Sequence, residues 1–136
     1  MKNEKIILDT NLWISFLISS NFNLLDKLIE KNRVTLIFSN ELLEEFIEVV
    51  KRPKFEKHFS KQDIEKIFEY FDQYGELIKV TSDINICRDQ KDNFLLNLST
   101  NSNADYLITG DKDLLILGKI KNTKILTFTE FIQIIE

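Results

Sequence analysis

Four acidic residues in widely separated segments have the chemical type and the placement to act together. They are Asp9 at the end of "KIILD", Glu45 within "NELLEEFIEVV", Asp92 before "NFLL" and Asp111 after "LITG". Carboxylates about 4 Å apart repel by roughly 4 kcal/mol per pair at an effective dielectric constant of about 20. Such a cluster must either take up protons or bind a hard divalent cation, and ligands that are all oxygen favour Mg²⁺ or Mn²⁺ over zinc.

The secondary structure around these acids decides whether they can meet. Short apolar segments alternate with segments of helical periodicity, which is typical of an α/β sandwich with a parallel sheet covered on both faces. We predict strands over residues 5–9, 34–38, 104–109 and 123–127, with a weaker fifth over 76–81. We predict helices over 12–19, 22–32, 40–52, 61–74 and 91–102. Capping boxes are predicted at Ser60 with Asp63 and at Thr127 with Glu130.

Polar residues stand at the carboxyl ends of three predicted strands. Asp9 closes the first strand, Ser39 follows the second, and Thr109, Gly110 and Asp111 end or follow a third. Because ligands of an open parallel sheet bind outside the carboxyl ends of its strands, we expect these groups on one side of the molecule. Asp111 has a second interpretation, as the cap of the short helical stretch "KDLLIL".

The other two acids lie on predicted helices. Leu42 and Val49 place Glu45 at the margin of an apolar stripe, so it could turn inward. Asp92 precedes Leu95 by three residues and lies over the apolar side of its own helix. It also falls in the first helical turn, where the helix dipole favours a negative charge, so a plain helix-start role stays open.

Composition narrows the function classes. The chain has 136 residues, a net charge of −4, one cysteine and one histidine. Binding of nucleic acid by charge alone usually needs a basic protein, whereas bound cations let an acidic enzyme act on a polyanion. Cys87 without a partner cysteine excludes an internal disulfide and indicates a reducing, cytoplasmic location, where we expect an unreactive thiol. No apolar run reaches the length of a signal peptide or of a membrane span, and His58 is expected to be exposed and not a ligand.

Five motifs, taken in order, resemble those of one known family. They are "ILDTN", "S-x-x-L-L-x-E" from Ser39, "RPKF", "D-x-K-D-x-x-L" from Asp89, and "TGDKDLL". Together they resemble a PIN domain, and more narrowly the PIN-domain toxins of bacterial toxin–antitoxin systems. The resemblance covers almost the whole chain. It implies a single domain over residues 1–136, folded as a three-layer α/β/α sandwich with a central, mostly parallel twisted sheet.

The same resemblance implies a ribonuclease that uses one or two Mg²⁺ or Mn²⁺ ions, and an antitoxin protein as partner. The catalytic and metal-binding residues would be Asp9, Glu45, Asp92 and Asp111. Of these, Asp9 and Asp111 are the best candidates for direct ligands, and Glu45 would either bind metal or orient the attacking water. The residues expected to support the site are Thr10, Asn11, Ser39 and Thr109, with Asp113 as an additional acid outside the ligand set. The chain departs from the usual family pattern at Asn40, Gln90 and Asn93, and none of these departures removes one of the four acids.

The densest basic stretch is "KRPKFEKHFSK", in which Phe55 and Phe59 are interleaved with cations. In an RNA-binding role its cations would contact phosphates while an aromatic ring stacks on an unpaired base. The favoured alternative is an amphipathic connection with its rings in the core and its lysines in water. The cations in question are Lys51, Arg52 and Lys54.

Two other functions remain open at this stage. A non-catalytic PIN module for RNA or protein interaction would be expected to have lost one of the four acids. A response-regulator-like or phosphatase-like domain also holds Mg²⁺ at strand ends, but it has no need of Glu45. The apolar helices in "NFNLLDKLI" and "FTEFIQII" could serve a homodimer or the antitoxin, or simply pack in the core, as we expect of Trp13.

Overall fold

A six-stranded sheet forms the centre of the part of the chain that the structure describes. This computed structural model describes residues 3–19 and 21–135, and only the backbone of Asn21 and Phe22. In chain order, strands β1 to β6 are Glu4–Leu8, Val34–Phe38, Gly75–Leu77, Tyr106–Ile108, Lys119–Ile120 and Thr123–Leu126. Their order across the sheet is β3-β2-β1-β4-β6-β5. Among these strands β5 pairs antiparallel with β6 and every other pairing is parallel.

Helices flank this sheet. Within the same described residues, helices α1 to α8 are Thr10–Ile18, Asn21–Glu30, Asn40–Val50, Pro53–Glu56, Lys61–Tyr74, Asn93–Ser102, Lys112–Leu115 and Phe128–Ile135. A 3₁₀ turn, Gln90–Asp92, leads directly into α6. The predicted three-layer α/β/α sandwich around a mostly parallel sheet is confirmed. Each helix in the described part of the chain is too short or too polar to cross a membrane.

Both predicted capping boxes are present. The Ser60 hydroxyl accepts from the Asp63 amide at 3.0 Å, and the Asp63 carboxylate accepts from the Ser60 amide at 3.0 Å. Thr127 and Glu130 form the equivalent pair at 3.2 and 3.1 Å. These reciprocal bonds satisfy amides that a helix start would otherwise leave unpaired, which is why α5 and α8 begin where the sequence predicts.

The core lies on both sides of the sheet. Ile6, Ile7 and Leu8 of β1 are at most 1% exposed. Trp13 is buried as predicted, with its ring centroid 5.6 Å from that of Phe38. Apolar residues of the two helices that could have served a partner are largely buried in this core, namely Leu25, Leu28 and Ile29 of α2 and Phe131 and Ile135 of α8. Core packing is therefore their main role, while the Phe22 side chain lies outside the described residues.

The weaker predicted strand over 76–81 is correct only at its start, where Glu76 and Leu77 belong to β3. Regular pairing ends at Leu77, and residues 78–88 continue without helix or strand. Ile78, Val80, Ser82 and Ile84 are nevertheless half-buried and alternate with exposed neighbours, which is the burial pattern of an extended chain. We call residues 78–88 the strap. Strand β5 was not among the predicted strands, because two residues are too few to show any periodicity.

Gly75 joins α5 to β3 where space is short. A β-carbon at this position would lie 2.6 Å from the Phe71 carbonyl oxygen and 2.8 Å from the Phe38 ring. The Phe71 oxygen belongs to the backbone of α5 and cannot move aside without distorting the helix. A side chain at position 75 therefore forces the end of α5 and the edge of the sheet apart.

We predict that Gly75→Ala destabilises the protein by about 1–3 kcal/mol, as overpacking of a core typically does. The melting temperature, followed by circular dichroism, should fall by about 3–10 °C. Gly110→Ala is the matched control, because a β-carbon there meets nothing within 4 Å. Equal melting temperatures for Gly75→Ala and the wild type would contradict the close approach.

Candidate active site

The candidate site lies where the strand order of the sheet reverses. From β1 the chain builds β2 and β3 on one side, and it later returns to place β4 on the other side of β1. At such a switch point the connections leave in opposite directions and open a crevice at the carboxyl ends of the strands. Asp9 directly follows β1, and Thr109, Gly110 and Asp111 directly follow β4.

A cavity of about 340 Å³ occupies this crevice, and all four predicted acids line it. Its other lining residues are Thr10, Asn11, Leu12, Leu95 and Gly110. No basic side chain appears among these lining residues, all of which belong to the described part of the chain. A second cavity of about 340 Å³, between α3, α5 and β3, has a mainly apolar wall. Of these two cavities, the acidic one carries the side chains that could bind a cation or activate water.

Asp9 is held from two sides. It is the N-cap of α1, where its Oδ1 accepts from the Leu12 amide at 2.9 Å, and its Oδ2 accepts from the Thr109 hydroxyl. Burial raises the pKa of Asp9, donors on Thr109, Leu12 and Gly110 oppose that rise, and the charge of Asp111 adds to it. The bonds fix the carboxylate, and three donors leave about one of its four lone pairs for a further ligand.

Asp111 is tied to the same threonine. Its amide donates to the Thr109 hydroxyl at 3.0 Å, so this hydroxyl bridges the turn after β4 to Asp9. Asp111 also caps α7, with its Oδ1 accepting from the Asp113 amide at 2.8 Å. The capping interpretation of Asp111 is thus correct, and the residue lines the cavity as well. Asp113 itself does not line the cavity.

Glu45 enters the cavity from α3. Ser39 starts that helix by accepting from the Leu42 amide at 3.1 Å, and Glu45 follows in the second turn. Burial raises the pKa of Glu45, and the charges of Asp9 and Glu48 add to this. The buried Thr10 hydroxyl lies near enough to lower that pKa, although it has no partner in hydrogen-bonding geometry.

Asp92 has a buried carboxylate oxygen, Oδ2, without a hydrogen-bond partner. It ends the 3₁₀ turn at the N-cap position of α6, where the helix dipole favours its charge, yet its side chain makes no capping bond. Burial first, then the neighbouring Asp111 and the charges of Asp89 and Asp9, raise the pKa of Asp92 to about 7. A buried carboxylate oxygen without a donor is costly unless a proton or a cation satisfies it.

The ligand types in the cavity suit a hard cation, but their positions are not yet those of a metal site. Its ionisable groups are carboxylates, and one buried oxygen of Asp92 lacks any partner. However, within residues 3–19 and 21–135 no three His, Cys, Asp or Glu side chains are already arranged to hold a metal ion. The donors therefore fit Mg²⁺ or Mn²⁺ by type and location, and side-chain adjustment would have to bring them onto one ion.

The supporting residues divide into two groups. Thr10 and Asn11 line the cavity, whereas Thr109 and Ser39 act behind it, through Asp9 and through the start of α3. Leu12 and Leu95 form the apolar walls of the cavity, a role that the sequence analysis assigned to neither, although it placed Asp92 over Leu95. Each follows an acid by three residues at a helix start, a spacing that would have identified both.

The basic stretch lies outside the cavity. Lys51, Arg52 and Lys54 are exposed, and Arg52 is near enough to oppose the rise in the pKa of Glu45. Phe59 is only 8% exposed and Phe55 is half-buried against the core, which favours the amphipathic connection over base stacking. His58 is exposed, as expected.

Replacing Asp92 should stabilise the metal-free protein. The pKa of Asp92 is about 7 in the folded protein and 3.8 in an unperturbed carboxyl. Because the unfolded chain ionises first, the free energy of unfolding falls as pH rises from about 4 towards 7. We predict that Asp92→Asn, measured with EDTA at pH 8, melts about 2–5 °C above the wild type, with a smaller gain at pH 5. Glu44→Gln, which changes an exposed acid of α3, is the control. An Asp92→Asn variant no more stable than the wild type at pH 8 would show that ionising this carboxylate does not destabilise the folded protein.

Comparison with known proteins agrees with this geometry. An uncharacterized protein of Methanocaldococcus jannaschii is 35% identical to this chain, over 95% of this chain and 90% of the relative. Among solved structures, VapBC2 from Rickettsia felis, bound to a DNA fragment from their promoter, matches with a TM-score of 0.59. That match covers 91% of this chain and 98% of the other at 18% identity, so it shows similarity of fold.

A family model of the PIN domain matches residues 5–113 of the chain. The matched region contains all four acids that line the cavity and the motifs around them. It extends from β1 past the turn after β4, and so includes both strands of the switch point. The chain belongs to the PIN-domain family.

Proposed function

We propose that this chain is an endoribonuclease that depends on Mg²⁺ or Mn²⁺ and that it is the toxin of a toxin–antitoxin pair. The observation that carries the proposal is the cavity lined by Asp9, Glu45, Asp92 and Asp111 without a basic residue in its described wall. An all-carboxylate cavity in a PIN domain is suited to cations, and cations allow an acidic site to accept the phosphates of RNA.

Each acid has a role suited to its surroundings. Asp9 and Asp111 are the proposed direct ligands, because Thr109 holds both with defined bonds. Asp92 has a buried oxygen without a hydrogen-bond partner, so it would bind a metal ion either directly or through a water molecule. The site would hold one ion or two. Glu45, on a separate helix, would bind metal or orient the water that attacks phosphorus. Bound Mg²⁺ or Mn²⁺ would supply the Lewis acidity that makes water nucleophilic near neutral pH and would neutralise charge on the phosphate.

The exposed cations near α3 are proposed to contact the RNA backbone. Arg52 is the strongest candidate, since its charge acts on Glu45 and therefore on the rim of the cavity. Its contact with Glu48 at 3.9 Å is exposed and weak, so the guanidinium is available to a phosphate. Lys51 and Lys54 are proposed to extend this contact along the strand.

The toxin role rests on family resemblance and on the fold. The structure of VapBC2 contains a DNA fragment from their promoter. Such a complex is what we expect if a chain of this fold associates with a DNA-binding partner. We propose a corresponding antitoxin for this chain that covers the acidic cavity. A homodimer and a cytoplasmic location stay predictions from the sequence.

RNA cleavage tests the enzymatic proposal. The wild-type protein should cut a labelled single-stranded RNA with Mg²⁺ or Mn²⁺ and should be inactive with EDTA. We predict that Asp9→Asn and Glu45→Gln each lower the cleavage rate by about 100-fold or more, as loss of a positioned catalytic group typically does. Glu44→Gln should cut at the wild-type rate, because the adjacent Glu44 is exposed and does not line the cavity.

Two outcomes would contradict the enzymatic proposal. One is cleavage that survives EDTA in the wild type but not in Asp9→Asn, which would show that the same site cuts RNA without a metal ion. The other is equal activity in Asp9→Asn and the wild type. A folded protein that binds RNA without cutting it would favour the non-catalytic PIN module instead.

Growth of a bacterial host tests the toxin role separately. Induced expression of the wild type should arrest growth, and Asp9→Asn should not. If a small protein is encoded beside this gene, its co-expression should restore growth and yield a complex of the two proteins. If the purified protein cuts RNA but the host grows normally under induction, the toxin role is wrong and the nuclease assignment stands.

A further inference from the structure

The strap and helix α6 are joined by a ladder of three asparagines. Asn93, Asn97 and Asn101 are spaced four residues apart and therefore share one face of α6. Each accepts from a backbone amide of the strap, and we call these residues the asparagine ladder. Asn101 accepts from the Thr81 amide at 2.7 Å, and Asn93 accepts from the Cys87 amide at 2.9 Å.

Asn97 is the central and most fully bonded member of the ladder. Its Oδ1 accepts from the Ile84 amide at 2.7 Å and from the Ser82 hydroxyl at 2.8 Å. Its Nδ2 donates to the Ile84 carbonyl at 3.1 Å and to the Asn93 carbonyl at 3.0 Å. All four hydrogen-bonding positions of the amide are used, and the side chain is only 9% exposed.

This arrangement makes the side-chain amide a substitute for a strand. Asn97 bonds both the amide and the carbonyl of Ile84, as a neighbouring β-strand would. The strap is extended and half-buried, and its last backbone bond to the sheet is the Ile78 amide donating to the Phe38 carbonyl at 2.8 Å, so the buried backbone groups beyond Ile78 need partners from elsewhere. The ladder supplies them from α6.

The ladder also closes a short loop around one of the four acids. Asn93 directly follows Asp92, and its side chain reaches back to the Cys87 amide. Two hydrogen bonds hold the 3₁₀ turn between these anchor points. The Asp89 carboxylate accepts from the Lys91 amide at 3.1 Å, and the Asp89 carbonyl accepts from the Asp92 amide at 3.0 Å. Asp92 makes no capping bond of its own, so its position depends on this loop.

We propose that Asn93 and Asn97 are positioning residues for Asp92. They clamp the strap to α6, and the clamped strap fixes the turn that presents the Asp92 carboxylate to the cavity. The inference deepens the proposed function and rests on it for the consequence that both asparagines set the affinity for Mg²⁺ or Mn²⁺.

Hydrogen exchange and metal binding on the full chain test this clamp. In metal-free protein, Asn97→Ala should speed amide exchange in peptides spanning residues 82–92 by tenfold or more, while peptides from β1 and β4 keep the wild-type rate. The dissociation constant for Mn²⁺, measured by calorimetry well below the melting temperature, should rise by about tenfold or more, as loss of an outer-shell partner typically causes. Asn93→Ala should raise the dissociation constant for Mn²⁺ similarly, and it replaces Asn97→Ala in both measurements if that variant does not fold.

Ser102→Ala is the matched control. Ser102 is a buried polar residue of α6 whose hydroxyl donates to the Leu98 carbonyl within the helix at 2.7 Å. Its loss should leave both the exchange of residues 82–92 and the Mn²⁺ affinity unchanged.

The outcomes separate the two proposals. Faster exchange in Asn97→Ala with unchanged Mn²⁺ affinity would mean a merely structural role and would overturn the inference, while the proposed function stands. Unchanged exchange in both asparagine variants would overturn it as well. If the wild type binds no Mn²⁺, the proposed function fails, and the exchange data alone decide whether the ladder holds the turn of Asp92.

Discussion

The burial of neighbouring carboxylates without a counter-charge is the constraint around which this site is organised. Asp9, Glu45, Asp92 and Asp111 line one cavity, and no basic side chain is among the described residues that share its wall. In place of ion pairs, the protein uses backbone amides, one threonine hydroxyl and the N-termini of α1 and α7 to offset the charge. These donors are weaker than a full positive charge, so the cavity stays electronegative. A protein optimised for stability alone would not keep such a site.

The sheet explains how a charged group can end a buried strand. Ile6, Ile7 and Leu8 fill the core, and the chain then turns immediately into α1. Asp9 sits at that turn, where its carboxylate accepts from the first turn of the helix and from Thr109 on the neighbouring strand connection. The topological switch point between β1 and β4 supplies the crevice, and the parallel register brings Leu8 beside Ile108, so that both connections leave the sheet at one level.

The sequence predicts the acidic residues of the site more reliably than the residues that hold them in position. Strand ends identify Asp9 and Asp111, because parallel strands bring their carboxyl ends to one edge, and the margin of an amphipathic helix identifies Glu45. The asparagine ladder could not be predicted in this way. Asn97 and Asn101 look like an ordinary solvated face of a helix, since nothing in local periodicity shows that an extended segment covers them. The same strap explains why the predicted strand over 76–81 extends past β3. The alternation of buried and exposed residues continues after Leu77, but side chains of α6 take the place of a partner strand from Thr81 onward.

The position of a bound cation is the most direct test of this account. Crystals of the wild type soaked in Mn²⁺ should give an anomalous difference peak within the cavity, with carboxylate oxygens of Asp9 and Asp111 within about 2.0–2.5 Å of the ion. Peaks confined to the protein surface, or a cavity that stays free of Mn²⁺ while its carboxylates are ionised, would contradict it.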